Sequence, residues 1–346
     1  MAGVRQEKRG KLLLMQRLMP DSRLNETERP LQQTFSKSFI FSSLLLAGLI
    51  LLTQAWMDSL RTLSDSTPRD VELRFSPAGL EAARFAPLRL AGAWRLDADD
   101  PRFGGVSALA LDGAGLVALS DSGSLLRFAR PGGGISRVRI RGLPGGPGPA
   151  NRKIGRDSES LARAPDGRGW WVGFEQRHAL FRFDASFGRV LGRVDLGARW
   201  PDNGGVEAMA VIPAGLLLIP EAGETVIQLG AGGARESALS GGGPVSDAAV
   251  LPDGRILLLL RRVTPLGLSN ALALLERDGS GYRLSRPMPL PLGRLDNGEA
   301  MAAEALPGGA VRLWLMTDND FRRSVQTLLV AIDIPRGAFK AGRAAP

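Results

Sequence analysis

The sequence predicts an all-β fold: a β-propeller of five four-stranded blades, or six if residues 71–84 hide a degenerate one. An N-terminal strand closes the propeller, and an N-terminal hydrophobic segment precedes it. Three observations predict this. One sequence unit recurs at about the spacing of a four-stranded blade. Each unit places a short glycine-containing turn between two apolar stretches, which is the signal of a tight hairpin. Outside the N-terminal segment, nothing reads as helical.

The unit begins with an acidic or serine residue. Two intervening positions and an Ala follow, then a turn, an apolar strand and a charged residue. It occurs at 106–121, 158–175, 206–221, 245–262 and 298–320. Ser107, Glu159, Glu207, Asp247 and Glu299 head the copies, at offsets of 52, 48, 40 and 52 residues. The first strand is rich in small residues, as a strand beside a crowded axis must be. The second is a continuous apolar run, such as ILLLL at 256–260, suited to burial between neighbouring blades. Alternating strands such as LLRFAR and ALFRFD follow, then a more polar fourth strand such as SRVRIRGL. The last unit ends after its third strand, at Val330 to Ile334. Pro87 to Leu96 resembles the missing fourth strand, and supplying it from the N-terminus leaves no open sheet edge.

The organisation expected is a basic and polar extension at 1–38, a signal or membrane-anchor segment at 39–56, a linker at 57–83, the propeller at 84–336 and a tail at 337–346. Residues 39–56 are 18 uncharged, mostly apolar residues, between a signal-peptide core and a minimal membrane span in length. Arg29 and Lys37 precede them and Asp58 follows, which suits an orientation with the C-terminal part outside the cytoplasm. Cleavage after Ala55, a later start such as Met19, and an uncleaved inner-membrane anchor are all open. The expected location is periplasmic or secreted, with anchoring to the inner membrane as the alternative.

Composition narrows the chemistry. There is no cysteine, so disulfides, thiolate zinc sites and cysteine nucleophiles are excluded. The single histidine, His178, sits in a hairpin and reads as a turn or surface residue, which leaves little for a Ser-His-Asp triad. Ser122 has no nucleophile-elbow motif around it. The stretch 142–157 lacks the GK[ST] of a phosphate-binding P-loop and reads as a loop over the channel mouth. The net charge is +9, but the cations are scattered arginines without a basic helix, so nucleic acid is not an expected partner.

Repeat-heading residues occupy equivalent places, so they should converge at one end of the central channel. The second strands end in a matching set: Asp121, Glu175, Glu221, Arg261 and Asp318. In an antiparallel hairpin the start of one strand lies beside the end of the next, so both sets crowd one acidic mouth. Asp157, Asn203, Asn297 and Asn319 add oxygen donors. Crowded carboxylates stay ionised together only with cations among them. Oxygen donors without His or Cys select a hard cation, calcium first and magnesium or manganese second. The metal ligands expected are Asp157, Glu159, Glu175, Glu207, Glu221, Asp247, Glu299, Asp318 and Asn319. Glu159, Glu207 and Glu299 are the candidate catalytic acids or bases. Arg156, Arg261 and Arg322 are candidate anion-binding residues, with Arg152, Lys153, Arg262 and Arg323 beside them.

At RDSESLARAPDGRGWWVGFEQRHALFRFD, NGGVEAMAVIPAGLLLIPE, NGEAMAAEALPGGAVRLWLMTDNDF and the opening GGVSALAL, the chain resembles the bacterial phytase-like family, described as having esterase-like activity of phytase. These motifs span residues 104–321. The sequence departs from the family pattern in having Ala208 and Ala300 where glycine is common, and Arg261-Arg262 where an acid ends the unit. The resemblance implies a propeller related to calcium-dependent phytases and to exported ester hydrolases, with Asp157, Glu159, Glu175, Glu207, Glu221, Glu299, Asp318 and Asn319 as the matching positions. The function expected is an exported, metal-dependent hydrolase of phosphoesters, with water as nucleophile and a carboxylate assisting, acting as a monomer on a small ester. The alternatives are a metal-dependent lactonase or esterase propeller and a non-catalytic envelope propeller that binds a ligand or protein.

Overall fold

Strand pairing follows the repeat. The structure is a computed structural model and describes residues 67–132, 134–150, 152–201, 204–322 and 324–339. The extension at 1–38, the apolar segment at 39–56 with its signal or anchor role, Asn203, Arg323 and most of the tail lie outside the described residues. All that is described belongs to one unit, Ser59–Pro346.

Two strands precede the first repeat: β1 (Arg69–Pro77) and β2 (Arg89–Ala98). The first repeat is β3 (Val106–Asp112), β4 (Gly115–Ser120), β5 (Ser124–Ala129) and β6 (Gly134–Gly142). The second is β7 (Ser158–Arg163), β8 (Trp170–Phe174), β9 (Ala179–Phe183) and β10 (Val190–Asp195). The third is β11 (Val206–Ile212), β12 (Gly215–Pro220), β13 (Thr225–Gly230) and β14 (Gly233–Ser240). The fourth is β15 (Val245–Val250), β16 (Ile256–Thr264) and β17 (Gly267–Asp278), with the short β18 (Gly281–Leu284) and β19 (Met288–Leu290) both on β17. The fifth is β20 (Asn297–Ala305), β21 (Val311–Asp318) and β22 (Thr327–Ile334), completed by β2.

Within each repeat the strands pair antiparallel in chain order. The inner strands β3, β7, β11, β15 and β20 each touch the next, and β20 touches β3, so they form a closed ring. The all-β architecture is propeller-like. Its core is divided accordingly, with a buried apolar cluster between each pair of neighbouring sheets. The apolar second strands explain why. In β16, Leu257 and Leu259 join one cluster while Ile256 and Leu258 join the next. A period-2 strand with two buried faces must be apolar at every position.

One expectation fails here. Residues 69–77 of the expected linker form β1, which pairs with β2 on one side and β6 on the other. Leu73 and Phe75 are buried, while Asp70, Glu72 and Arg74 alternate with them on the open face. A half-buried strand with three charges on its outer face reads as polar in sequence although its inner face is apolar. No further four-stranded repeat occurs there among the described residues.

Candidate functional site

In every repeat the inner strand starts with a β-bulge against the second strand. The extra residue is Ser107 in β3, Glu159 in β7, Glu207 in β11, Ser246 in β15 and Glu299 in β20. A bulge re-aims the unpaired side chain, and these are turned toward the channel end. A second bond fixes the neighbouring set. The backbone N–H groups of Asp121, Glu175, Glu221 and Arg261 donate to the carbonyls of Gly105, Asp157, Gly205 and Pro244. Each acceptor lies two residues before its bulge. Gly205 passes so close that a Cβ there would come within 2.7 Å of the Glu175 backbone. The two sets of side chains therefore converge on one mouth of about 490 Å³, lined by Ser107, Asp121, Glu159, Glu175, Glu207, Glu221, Arg261, Glu299, Asp318 and Asn319, with Arg322 at its rim.

The geometry moves the fourth repeat's head by one residue. Ser246 holds the equivalent position, and its hydroxyl faces the Glu299 carboxylate. Asp247, expected as a metal ligand, is buried and does not line the mouth. Its carboxylate accepts the backbone N–H groups of Ala248 at 2.7 Å and Met301 at 2.6 Å, tying β15 to β20. Burial pushes its proton affinity well up.

The mouth divides by its internal cations. On one side Arg261 pairs with Glu299 and, at 3.2 Å, with Glu221. Asn297 also donates to Glu299, at 2.7 Å. Glu299, expected as a catalytic acid or base, is thus held in an ion pair. On the other side the short turn Lys153–Gly155 carries the Lys153 ammonium under the mouth, 2.6 Å from Asp157 and 3.2 Å from Asp121. Burial opposes the charge on Lys153, but Asp121, Asp157 and Glu159 outweigh it and hold the amine protonated. Gln176 donates to the second oxygen of Asp157 at 3.3 Å. The sequence puts Lys153 beside the anion-binding candidates, but here it serves as a counter-ion to acids, and no sequence signal marks Gln176.

Between these cations lie acids without an ion pair among the described residues: Glu159, Glu175 and Glu207. Oxygens of Asp157, Glu159 and Glu175 lie within 4.8 Å of one another, as do those of Glu175, Glu207 and Glu221. Glu175 belongs to both triads. Burial, then the charge on Asp157, pushes Glu175 up to about 8. Burial first and neighbouring acids second push Glu159, Glu207 and Asp318 well above the carboxylate range. Asp121 is pushed up to about 6, mainly by burial, with Lys153 opposing. Such a set binds protons or cations in place of one another. The donors are all oxygen and suit a hard divalent cation.

The remaining expected residues fall elsewhere. The Asn319 side-chain oxygen accepts the N–H groups of Gly105 at 3.2 Å and Phe321 at 3.1 Å, which joins the fifth repeat to the first. Arg156, expected to bind an anion, is buried and absent from the mouth lining, its guanidinium packed against Gly146. Arg322 pairs with Asp320 at 2.7 Å and is half exposed. His178 is buried in the turn after β8, its ring edge-on to Trp200 and its Nε2 at 3.1 Å from the Trp200 carbonyl.

These acids give a pH dependence with a definite sign. Unfolded Asp and Glu titrate near 4. Without a cation, the folded state keeps protons on Asp121 to about 6 and on Glu175 to about 8. At these two acids the folded state then binds more protons than the unfolded one, so their contribution to stability is full below pH 4 and is lost as pH rises through 6 and 8. In chelator, the melting temperature is expected to fall by several degrees between pH 5 and pH 8. A melting temperature that rises over that interval would contradict the repulsive mouth.

Comparison with known proteins adds a family. The family model "Phytase-like: Esterase-like activity of phytase" matches residues 101–240. This part of the chain is similar to that family. The matched segment carries Asp157, Glu159, Glu175, Glu207 and Glu221, so both triads lie within it. No curated protein matches the chain. Among solved structures, a glutaminyl cyclase from Myxococcus xanthus is similar at 11% identity and a TM-score of 0.46, over 71% of this chain and 96% of that one. A gluconolactonase from Xanthomonas campestris is similar at 17% identity and a TM-score of 0.41, over 78% of this chain and 87% of that one. The chain spans 62% of a hydrazine synthase chain from Kuenenia stuttgartiensis, at 14% identity and a TM-score of 0.37, over 67% of its own length. All three scores lie below 0.5 and bear on no reaction.

Proposed function

We propose that this chain is an exported, metal-dependent ester hydrolase acting on small phosphoesters, built on a five-bladed propeller. The observation that carries the reading is the pair of carboxylate triads sharing Glu175. The family description of the matched segment supports an ester as the substrate. Calcium is the ion the donor set suits first, with magnesium or manganese second. Export rests on the segment at 39–56, and with it the periplasmic or secreted location, or an inner-membrane anchor. The enzyme is proposed to act as a monomer.

Asp157, Glu159 and Glu175 would hold one cation, and Glu175 and Glu221 would hold a second, with Glu207 beside them. Bound there, these cations would supply positive charge to the ester's oxygens. The chain's own residues do the rest. Glu207 is buried, lines the mouth and has no ion pair among the described residues, so it is the carboxylate assigned to take the proton from attacking water. Glu159, partly exposed beside it, is the second candidate. Arg261 and Asn297 hold Glu299 away from that role. Arg322 stands at the rim, where an anionic group enters.

The test has two parts, both on the full chain. Calcium should raise the melting temperature, with EDTA reversing it, because a ligand of the native state stabilises by mass action. Calcium should also be needed for turnover of a small phosphomonoester, and Glu207→Gln should lower kcat by about 10²–10⁴-fold. If calcium, magnesium and manganese all leave the melting temperature unchanged, the metal-dependent mechanism fails. Internal pairing by Lys153 and Arg261 then favours a non-catalytic envelope propeller. Turnover of lactones but not phosphoesters would favour the lactonase alternative.

A further inference from the structure

The fourth repeat does not end at the mouth as the others do. The second strand stops at Ser120, Phe174 and Pro220 in the first three repeats, just before the mouth residue. In the fourth, β16 runs past Arg261 to Thr264, and β17 returns from Gly267. The two strands stay paired along this overshoot, with Arg261 opposite Asn270 and Val263 opposite Leu268. The ribbon is anchored, because Leu268 donates its N–H to the Arg294 carbonyl at 2.8 Å. It forms a wall above the acidic floor.

That wall is apolar. Val263, Leu268, Leu295 and Val325 line the same mouth as the carboxylates. Val263 is 78% exposed and Leu295 69% exposed. Val263 and Leu268 are cross-strand partners on the ribbon, and Leu295 and Val325 join them from the segments before β20 and before β22, so aliphatic side chains from three segments line one otherwise polar pocket, where a ligand's apolar part can lie. Period-2 alternation places Val263 on the same face as Arg261, directly above it.

The charges of the mouth point the same way. Eight carboxylates and three guanidiniums line it. Arg261 is committed to Glu221 and Glu299, and Arg322 to Asp320. Two divalent cations in the triads would bring the lining close to neutrality. Such a mouth can hold one anionic ester group, and it lacks the cations that a densely phosphorylated polyol needs.

We infer that the substrate is a monoester with an apolar alkyl or aryl portion, whose ester group sits on the acidic floor while its apolar portion lies on Val263, Leu268, Leu295 and Val325. This rests on the ester-hydrolase reading and narrows its substrate class. The wall selects by chain length, because each further methylene it covers removes apolar surface from water.

Binding of non-hydrolysable alkylphosphonates separates this inference from the reading beneath it. Methyl-, butyl- and octylphosphonate are titrated calorimetrically into the full chain with calcium present, and turnover of butyl phosphate is followed separately. A fully buried methylene is worth about four-fold in affinity, and a one-sided wall about half that in logarithm, so octylphosphonate should bind roughly 10-fold more tightly than butylphosphonate. The surface double substitution Val263→Ser/Leu295→Ser should remove most of that gain and leave methylphosphonate binding unchanged. Leu266→Ser, at the exposed tip of the ribbon and outside the mouth lining, should leave all three affinities as they are. Affinity independent of chain length, no phosphonate binding, or preferential binding of inositol hexakisphosphate would overturn the inference. Absence of butyl phosphate turnover alongside a chain-length gain would count against the hydrolase reading and leave the apolar wall supported.

Discussion

Glu175→Gln is expected to raise the melting temperature in EDTA and to remove most of the rise that calcium produces. The opposite signs follow from its position. Glu175 is almost fully buried and belongs to both triads. Without a cation its charge is unfavourable, first through burial and then through Asp157 and Glu221. A neutral amide of the same shape relieves that cost, by about 1–3 kcal/mol at pH 8. With calcium the same change takes a ligand from each triad. At free calcium one hundred times Kd, the native protein gains about 2.7 kcal/mol. For a domain of this size that is about 5–10 °C. Glu175→Gln should keep less than about a third of it. Asp320→Asn, at the rim and outside both triads, should keep nearly all of it. A calcium shift of wild-type size in Glu175→Gln would dissolve the shared-ligand arrangement, because among the described residues no other joins the two triads.

The repeat made the fold legible. A four-stranded unit that copies itself imposes the same turn, small-residue strand and apolar strand at each recurrence, so the pattern is read several times over. The closing strand was legible for the same reason: the last unit lacked a strand, and Arg89–Ala98 supplies it by pairing with β22. β1 belongs to no copy, which is why it was read as linker. Its inner residues Val71, Leu73 and Phe75 alternate with charges, and no recurrence elsewhere flags them as a strand.

The mouth was legible in outline and misread in register. Equivalent positions in a repeat meet at one end of the ring, so Glu159, Glu207 and Glu299 came together with Glu175, Glu221 and Asp318. A head defined as acidic or serine admits both Ser246 and Asp247, and three of the other four heads being acidic favours Asp247. The better mark is the residue before the head. Val106, Val206 and Val245 each precede the bulge residue, and aligning on them selects Ser246. Lys153 and Arg156 show a different kind of limit. Both lie on one irregular segment with no repeat equivalent, yet one reaches Asp121 and Asp157 beneath the mouth and the other packs on Gly146. Where a flexible basic side chain ends depends on the loop's path, and local sequence does not encode that path.

Arg261→Ala is expected to cost about 1–3 kcal/mol of stability at pH 8 in EDTA, the size of losing charge-assisted hydrogen bonds in a partly buried ion pair. The guanidinium holds Glu221 and Glu299 together, and Glu207 and Glu159 add to its retention of charge even though burial opposes it. Without it, the buried acids repel one another with nothing between them. The loss should shrink as pH falls, since protonation removes the charges that Arg261 neutralises. Arg261→Ala combined with Glu299→Gln should recover part of it, because the second change removes the orphaned carboxylate. Calcium should act on this variant in the sense opposite to Glu175→Gln. Removing Arg261 frees Glu221, a member of one triad, from its competing cation. The calcium-dependent rise in melting temperature should therefore exceed that of the wild type. Urea unfolding with and without calcium reads both effects. A cost below about 1 kcal/mol in EDTA, together with an unchanged calcium response, would mean that the arginine where the other repeats carry acids neutralises nothing.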